Sequence, residues 1–365
     1  MAPSALAVLI ETLAADAQPE VRSRAGGAWE TGDGRFGHEV RGLAAALLGY
    51  GLGTGASAAV LGAEGYGTLC SGLAVIAAGA TLVPLDPALS DDALRRVLGS
   101  TRAVHAVASD ERQLARILAL RPELPALELV LLIAASPSER KPAALLVSAA
   151  IEVGSAALAA DPDLLAGALA EKEGGVACVV VDSRGEARPV HRTALFALAG
   201  MLGKALSIER KTKLLAALPV GSVERLGAVL AVLSRKAALL LPDSAQRPDS
   251  GLDQQAVDAI LLDVPGLERL HRAWIEDIDA KSWLARGATR WALRQARNER
   301  HGFKHRLAET IALRSLRDKL GGGTYTLDVI GTDRGGASSE VDAFFTAVGF
   351  KLRYLTPGVG PSLAR

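Results

Sequence analysis

The sequence predicts an α/β fold in which mostly parallel sheets are covered by helices. Short apolar runs alternate along the chain with segments whose apolar residues have helical spacing. The runs are apolar throughout rather than alternating with polar residues, which is typical of strands buried on both faces. The chain has 365 residues, 49% of them hydrophobic, so it can bury a large core. A chain of this length is expected to form two packed units or one large α/β unit, and we interpret residues 1–365 as two packed α/β subdomains that divide near residue 172.

The first half of the chain has a regular strand and helix order. A helix is predicted over Val40–Leu48, and the glycines of GYGLGTG end it before the strand Ala58–Leu61. A helix of small residues near Tyr66–Ala78 precedes the strand Thr81–Asp86. SDDALRRVLGS then has a Ser at a helix cap and two Asp residues in the first turn. This order predicts repeated β–α units.

The second half continues the series. Further strands are predicted at residues 103–109, 127–133, 175–182 and 237–243. An Ala-, Ser- and Pro-rich stretch at 136–169 is interpreted as a surface crossover. Residues 266–320 are predicted to be helical and basic, and GGG ends that stretch. A strand LDVIG, a helix SSEVDAFFTAVG and a strand KLRYL follow.

Composition excludes several classes of function. Lys and Arg total 41 and Asp and Glu total 40, so no overall field attracts nucleic acid or an anionic membrane. Cys70 and Cys178 lie in apolar segments, which favours a reducing compartment over a disulfide framework. The N-terminus lacks a basic segment before its apolar run, and Glu11 interrupts that run, so a signal peptide is not expected. We expect a cytoplasmic protein without a transmembrane segment.

The stretch CVVVDSRGEARPVHRTAL is interpreted as a buried strand, a loop and the first turn of a helix. This arrangement often binds a phosphate, because backbone N–H groups at a helix N-terminus point at the anion. Such loops usually carry several glycines and a lysine. Here the loop has one glycine, no lysine and the carboxylates of Asp182 and Glu186, which oppose a phosphate at close range.

The order of segments resembles the adenylate-forming superfamily, and most of all its long-chain acyl-CoA synthetase branch. LAVIAAGATLVPLDPALSDDALRRVLGSTRAVHAVAS, at 73–109, is the most specific match. AWETGDGRFGHEVRGLAAALLGYGLGTGASAAVLG, at 28–62, resembles the family's entry segment. LPVGSVERLGAVLAVLSRKAALLL, AILLDVPGLERL and the final strand and helix are also similar to the family, so the resemblance spans nearly the whole chain.

The resemblance implies a nucleotide cleft whose chemical groups are lost. The family's phosphate loop corresponds to Asp182–His191, where about five residues are missing relative to the family. The vestigial loop residues are Asp182, Ser183, Arg184, Gly185, Glu186, Pro189 and His191. The family's His position corresponds to Ser222, and the acidic residue expected after Thr356 is Pro357. We therefore place Ser222, Tyr354, Thr356 and Pro357 in a vestigial substrate and nucleotide cleft and expect no catalytic residue.

These departures predict a pseudoenzyme. Losing one charge-stabilising contact typically costs about 3–4 kcal/mol at a transition state, and several losses together remove nearly all catalysis. The resemblance also implies that the family's β-barrel and C-terminal domain are missing from this sequence. We expect an acyl-CoA synthetase-like binding, structural or regulatory subunit without a cofactor. The alternatives are an adenylating enzyme completed in trans, which would use ATP and Mg²⁺, and a non-catalytic binder of an acyl lipid.

Partners are predicted from two surfaces. The basic helical stretch with Trp283 and Trp291 is interpreted as a solvated face, a protein contact or a membrane-surface contact. Residues 354–365 and the apolar surface near them are expected to be exposed unless another protein surface covers them, which predicts self-association or a protein partner. Nucleic acid is not expected. His301 and His305 are four residues apart, but HExxH is absent, so no metal site is predicted.

Overall fold

The structure is a computed structural model. It describes the following residues: 5–14, 19–25, 28–31, 34–63, 65–134, 144–166, 175–181, 186–242, 249, 252, 256–297, 313–320, 326–331 and 337–356.

The first of two sheets is built from the middle of the sequence. Its strands lie in the order β7-β6-β5-β3-β4-β8-β9. Each neighbouring pair is parallel except β8 and β9, which form an antiparallel hairpin at the edge. The strands are β3 (Ser57–Leu61), β4 (Thr81–Leu85), β5 (His105–Ala108), β6 (Leu129–Leu132), β7 (Leu145–Leu146), β8 (Val176–Val181) and β9 (Ala187–His191).

The second sheet joins the start of the chain to its later part. Its order is β14-β13-β12-β10-β11-β1-β2, and only β1 with β2 is antiparallel among its pairs in the described chain. The strands are β1 (Glu20–Ala25), β2 (Ala28–Thr31), β10 (Lys213–Ala217), β11 (Ala238–Leu241), β12 (Ala259–Asp263), β13 (Thr326–Ile330) and β14 (Lys351–Leu355).

Helices and sheets stack in five layers. Helices α4 and α5 cover the outer face of the first sheet. The layer between the sheets contains α1, α2, α3, α6, α7 and α8, and α9 to α12 cover the outer face of the second sheet. The helices are α1 (Ala5–Ala14), α2 (Phe36–Gly49), α3 (Tyr66–Ala77), α4 (Asp91–Ser100), α5 (Glu111–Leu120), α6 (Val147–Ala160), α7 (Arg192–Ala205), α8 (Val223–Ser234), α9 (Val264–Asp279), α10 (Trp283–Arg297), α11 (Arg314–Asp318) and α12 (Ser339–Val348).

Uniformly apolar strands form here because each strand contacts helices on both faces. In β3, Ala58 and Val60 face the layer between the sheets, whereas Ala59 and Leu61 face α4 and α5. Successive strand residues point to opposite faces, so an apolar residue is needed at every position. The predicted fold class is therefore confirmed: the chain is α/β with mostly parallel sheets.

The sequence interpretation missed some elements and misplaced others. The predicted strand–loop–helix at Cys178–Leu195 is wrong, because β9 lies between the loop and α7. The hairpin β1–β2 and the helix α1 were not predicted. The proposed division near residue 172 falls between β7 and β8, which both belong to the first sheet. Among the described residues, no helix combines the length and apolar character needed to cross a bilayer.

Candidate functional site

The carboxyl ends of strands from both sheets meet at one open cleft. Its volume is about 610 Å³, which is within the range of about 300–1,000 Å³ typical of small-molecule sites. The cleft lies beyond the ends of β4 and β8 in the first sheet and β10 in the second. The sheets approach closely at its floor, since a Cβ on Gly221 would lie 3.4 Å from the carbonyl oxygen of Pro84. In α/β folds, ligands commonly bind beyond the carboxyl ends of parallel strands.

The cleft has mainly apolar walls and a few polar groups. The apolar part of its lining includes Pro84, Leu89, Ala93, Val181 and Pro219. The polar groups are Asp86, Ser90, Arg96 and Ser222.

Three of these four polar side chains accept hydrogen bonds from nearby backbone N–H groups. Ser90 Oγ accepts a hydrogen bond from the backbone N–H of Ala93 at 3.2 Å and caps α4. Ser222 Oγ likewise accepts from the backbone N–H of Arg225 at 3.2 Å and caps α8. Asp86 Oδ1 accepts from the backbone N–H of Ala88 at 2.7 Å. Both serines thus act as helix caps, which satisfies donors that a helix leaves open at its start.

Arg96 is the cation of the cleft lining. Its side chain is exposed, and its Nε donates to the backbone oxygen of Asp92 at 3.3 Å. The neighbouring Arg95 instead pairs with Asp92 at 2.8 Å and with Glu123 at 3.0 Å, and it does not line the cleft. Guanidinium groups bind carboxylates and phosphates well because they offer several donors in one plane. Arg96 is therefore the group in this cleft best suited to hold an anionic ligand.

The hairpin β8–β9 determines what lies at the end of β8. Val181 pairs with Ala187, so residues 182–186 alone connect the two strands. Asp182, Ser183, Arg184 and Gly185 lie outside the described residues. Glu186 is exposed and lies 3.9 Å from Arg188 on β9. The predicted loop is therefore a short hairpin connection with a charged pair beside it.

Pro189 and His191 lie farther along β9, away from the loop. Pro189 pairs with Val179, and His191 pairs with Val176 at the start of β8. At about 3.3 Å per residue, His191 lies most of a strand length from the cleft, and it is not among the lining residues. His191 is the N-cap residue of α7, without a capping hydrogen bond from its side chain.

Of the four residues placed in the cleft by resemblance, Ser222 lines it. Tyr354 is on the edge strand β14, where its hydroxyl donates to Asp342 Oδ1 of α12 at 2.5 Å and accepts from the backbone N–H of Ala337 at 3.3 Å. Burial and the bond to Asp342 raise the pKa of Tyr354 to about 12. Thr356 follows β14, about 14 Å from β10 at three strand spacings, and Pro357 lies outside the described residues.

A second, much smaller cavity of about 30 Å³ lies behind the cleft and shares Pro84 with it. Leu69, Leu73 and Leu82 line it together with the buried Arg225, which is 4% exposed. This volume holds little more than one water molecule. A cavity of this size cannot hold a long acyl chain.

Sequence reasoning missed three of the four polar groups of the cleft. Asp86, Ser90 and Arg96 were not assigned to it, although all three follow the carboxyl end of β4 on the segment that carried the most specific resemblance; Ser90 was predicted only as a helix cap. The general preference of ligands for the carboxyl ends of parallel strands could have identified Asp86. Arg96 was harder to find, because it projects from the second turn of α4 beside the similar residue Arg95.

The described cleft does not fit the phosphates and magnesium of a bound nucleotide. Its lining contains one carboxylate, and no lysine is among the residues that line it. Within the described residues, no group of three or more His, Cys, Asp or Glu could hold a metal ion. His301 and His305 lie outside those residues. In sequence, the connection 182–186 has one glycine and two carboxylates, whereas phosphate loops usually have several glycines and a lysine.

Comparison with known proteins identifies the fold. Residues 34–168 match the family model described as AMP-binding enzyme. The A domain of carboxylic acid reductase from Segniliparus rugosus, solved with AMP and a co-purified carboxylic acid, superimposes with a TM-score of 0.68 at 14% identity over 97% of this chain and 60% of its own. No curated protein matches the sequence.

Two further solved structures have the same fold. Brucella canis acyl-CoA synthetase gives a TM-score of 0.67 at 14% identity, covering 98% of this chain and 58% of its own. The N-terminal domain of FACL13 from Mycobacterium tuberculosis gives 0.63 at 12% identity, covering 96% and 76%. This chain spans about 60% of the length of the reductase domain. The predicted recognition of an adenylate-forming, AMP-binding fold is confirmed.

Proposed function

We propose that this chain, which has the fold of the N-terminal region of adenylate-forming enzymes and matches the AMP-binding family over residues 34–168, is a pseudoenzyme. It binds a carboxylic acid in the cleft and does not adenylate it. In this proposal the fold is retained, and the cleft binds a carboxylic acid, which is the chemistry that its described residues suit.

The register of the hairpin β8–β9 is the observation that carries the proposal. Val181 pairs with Ala187, so five residues, DSRGE, occupy the place where the fold's relatives would need a phosphate loop. In sequence this connection has two carboxylates, Asp182 and Glu186. Glu186 lies 3.9 Å from Arg188, and a carboxylate beside a polyphosphate opposes its binding by Coulomb repulsion. Ser222, also in the cleft, uses its oxygen to cap α8.

Calorimetric titration with Mg·ATP tests the loss of phosphate binding. We expect no saturable heat, either with the protein alone or with a carboxylic acid present. The informative variant replaces residues 182–186 with a longer loop of Ser, Thr, Gly and Lys, and gain of Mg·ATP binding by this variant would show that the loop was the missing part. Saturable binding by the unaltered chain would overturn the proposal.

Carboxylic acid binding is tested at Arg96. A charge-assisted hydrogen bond is worth about 1.5–3 kcal/mol, so R96A should weaken binding of a medium-chain fatty acid by at least about tenfold. R95A is the matched control, because Arg95 is the adjacent arginine of α4 and pairs with Glu123 outside the cleft. Equal loss in both variants would mean that the ligand responds to general charge rather than to this site.

Two alternatives make different predictions. An adenylating enzyme completed in trans would exchange pyrophosphate into ATP once a C-terminal domain from an active acyl-CoA synthetase is added, whereas we expect no exchange. A binder of long acyl lipids needs an extended tunnel, but the cavity behind the cleft is about 30 Å³ and is lined by the buried Arg225. We therefore expect short and medium acids, held in the open cleft, to bind better than long ones.

A further inference from the structure

An exposed pair of large apolar side chains lies far from the cleft. Trp283 is 74% exposed and Leu284 is 64% exposed, and they are the most exposed large apolar residues in the described chain. Both lie in the first turn of α10. Exposing a tryptophan and a leucine side by side is costly in water, and such pairs often mark a contact with another surface.

The fold does not need these two side chains for packing. Helix α10 is held by its other face, where Thr289, Ala292 and Leu293 are buried and where it packs mainly against α12 and also against α9. This contact orients Trp283 and Leu284 outward, on the outer side of the second sheet. Because the cleft opens beside the layer between the sheets, a surface bound at α10 leaves the cleft accessible.

The same helix is strongly cationic. Its sequence WLARGATRWALRQAR contains four arginines and no carboxylate. Arg290 and Arg294 are exposed, and Arg294 Nε donates to the backbone oxygen of Arg290 at 3.3 Å.

The described neighbours of α10 have carboxylates. Two lie in the first turn of α12, Glu340 and Asp342, and two of those in the last turn of α9 are already paired. Asp279 contacts Arg290 at 2.6 Å, and Asp277 contacts Lys319 at 2.6 Å. Both pairs are partly solvated, so they are weak and can exchange partners. Glu276 is the third carboxylate there and is exposed. Helix α10 itself has no carboxylate, so the exposed arginines Arg290 and Arg294 make its own surface cationic on the helix that carries Trp283 and Leu284.

We propose that the first turn of α10 docks this protein on an anionic phospholipid surface. Trp283 and Leu284 enter the headgroup region, where an aromatic ring with a polar N–H is favoured. Arg290 and Arg294 pair with lipid phosphates and carboxylates while their methylene stems cover the apolar side chains. A second copy of this chain is a poor occupant, since two such cationic faces would repel each other. This inference does not rest on the proposed function.

Co-sedimentation of the full chain with vesicles tests the docking. With vesicles of equal parts phosphatidylserine and phosphatidylcholine we expect binding that weakens as salt is added, because screening reduces the charge contribution. With pure phosphatidylcholine vesicles we expect much weaker binding. The tryptophan fluorescence of the bound protein should shift to shorter wavelength, and this shift should be lost in W283F.

Two variants separate the apolar and charged contributions. The double variant W283A/L284A should lower the partition coefficient by at least about tenfold, given the apolar area removed. R294Q should lower it by about fivefold, the value for one cation near an anionic surface. All altered side chains are exposed, so the variants should unfold at the same temperature as the unaltered chain.

The control is the double variant V153A/M201A. Val153 is 54% exposed and Met201 is 43% exposed, and they lie on α6 and α7 rather than on α10. This variant should bind vesicles like the unaltered chain. The proposal is overturned if the protein does not bind anionic vesicles at low salt. It is also overturned if W283A/L284A and V153A/M201A bind equally, which would place the contact elsewhere.

Discussion

The layer of helices between the two sheets and the cleft at their rim are built in opposite ways. In the layer, α2 and α6 approach so closely that a Cβ on Gly154 would lie 1.8 Å from the carbonyl oxygen of Gly42. At the cleft, a five-residue connection follows Val181, and the polar side chains are exposed or engaged as helix caps. The contact between α2 and α6 has no room for an added atom, whereas the cleft is open to solvent.

This difference separates two structural requirements, close packing of the helices and the groups of a ligand site. Close packing depends on many small residues that must all be retained, because each added methylene displaces its neighbours. A phosphate site depends on a few groups at one rim, and it can be lost without disturbing the layers. The chain has the fold of the adenylate-forming structures that it resembles, and that fold depends on the first kind of residue.

The largest effect is expected from Gly154→Val in the layer. Its side chain cannot fit beside the backbone of α2, since the nearest atoms are Gly42 O at 1.8 Å and Ala46 N at 2.6 Å from a Cβ. Overpacking typically costs about 1–3 kcal/mol, and contact with backbone rather than with a movable side chain should bring the cost to the upper end or beyond. Urea unfolding measures this loss in the free energy of unfolding.

Gly200→Ala is the control for that variant. Gly200 lies inside α7, and nothing lies within 4 Å of a Cβ built on it. Replacing a helix-interior glycine by alanine should stabilise the protein by roughly 0.5–1 kcal/mol. If Gly154→Val were as stable as Gly200→Ala, the close approach of α2 and α6 would be wrong.

A smaller effect is expected at the rim, from Ser222→Ala. Losing an N-cap serine costs about 1 kcal/mol, and Ser90→Ala should cost about the same because it makes the same bond in α4. Ser222→Asp keeps the cap and should keep the stability, but its charge should weaken binding of a carboxylate in the cleft. A loss of stability in Ser222→Ala well above that in Ser90→Ala would assign Ser222 a further role.

The fold was largely predictable because strands and helices here are decided by local pattern. The buried strands β3, β4, β5 and β6 are apolar at nearly every position, and Ser90 and Ser338 cap their helices as their sequences indicate. The edge strand β9, ARPVH, was missed because three of its five residues are exposed and one is a proline. Prolines and polar residues are typical of edge strands, but they also occur in loops, so the pattern alone did not distinguish a strand from a loop.

The cleft was less predictable because it is assembled from distant segments. Ser222 was assigned to the cleft by resemblance and lines it, whereas Tyr354, assigned in the same way, is held by Asp342. Which way an edge-strand side chain turns depends on the helix beside it, here α12, and no local pattern encodes that contact. His191 was assigned to the loop because β9 was not recognised, and the antiparallel register then places it at the opposite end.

A still smaller effect is expected from lengthening the hairpin connection. Insertion of two glycines between residues 184 and 185 should change the free energy of unfolding by less than about 1 kcal/mol, since doubling a loop costs about 0.6 kcal/mol in closure entropy. The comparison with Gly154→Val is direct: one isopropyl side chain added in the layer should cost more than two residues added at the rim. A loss above that of Gly154→Val would mean that the connection is a packed part of the fold.

The smallest effect concerns the proton on Tyr354. In the folded protein its pKa is raised to about 12 by burial and by the bond to Asp342, above the usual value of about 10. The folded state therefore keeps the proton where the unfolded chain loses it, so this contribution to stability is complete below pH 10 and is lost as the pH rises toward 12. The phenolate absorbance of the unaltered chain minus that of Tyr354→Phe should titrate near 12. A midpoint near 10 would mean that the hydroxyl is exposed to solvent and is not held by Asp342, so that the bond between β14 and α12 does not form.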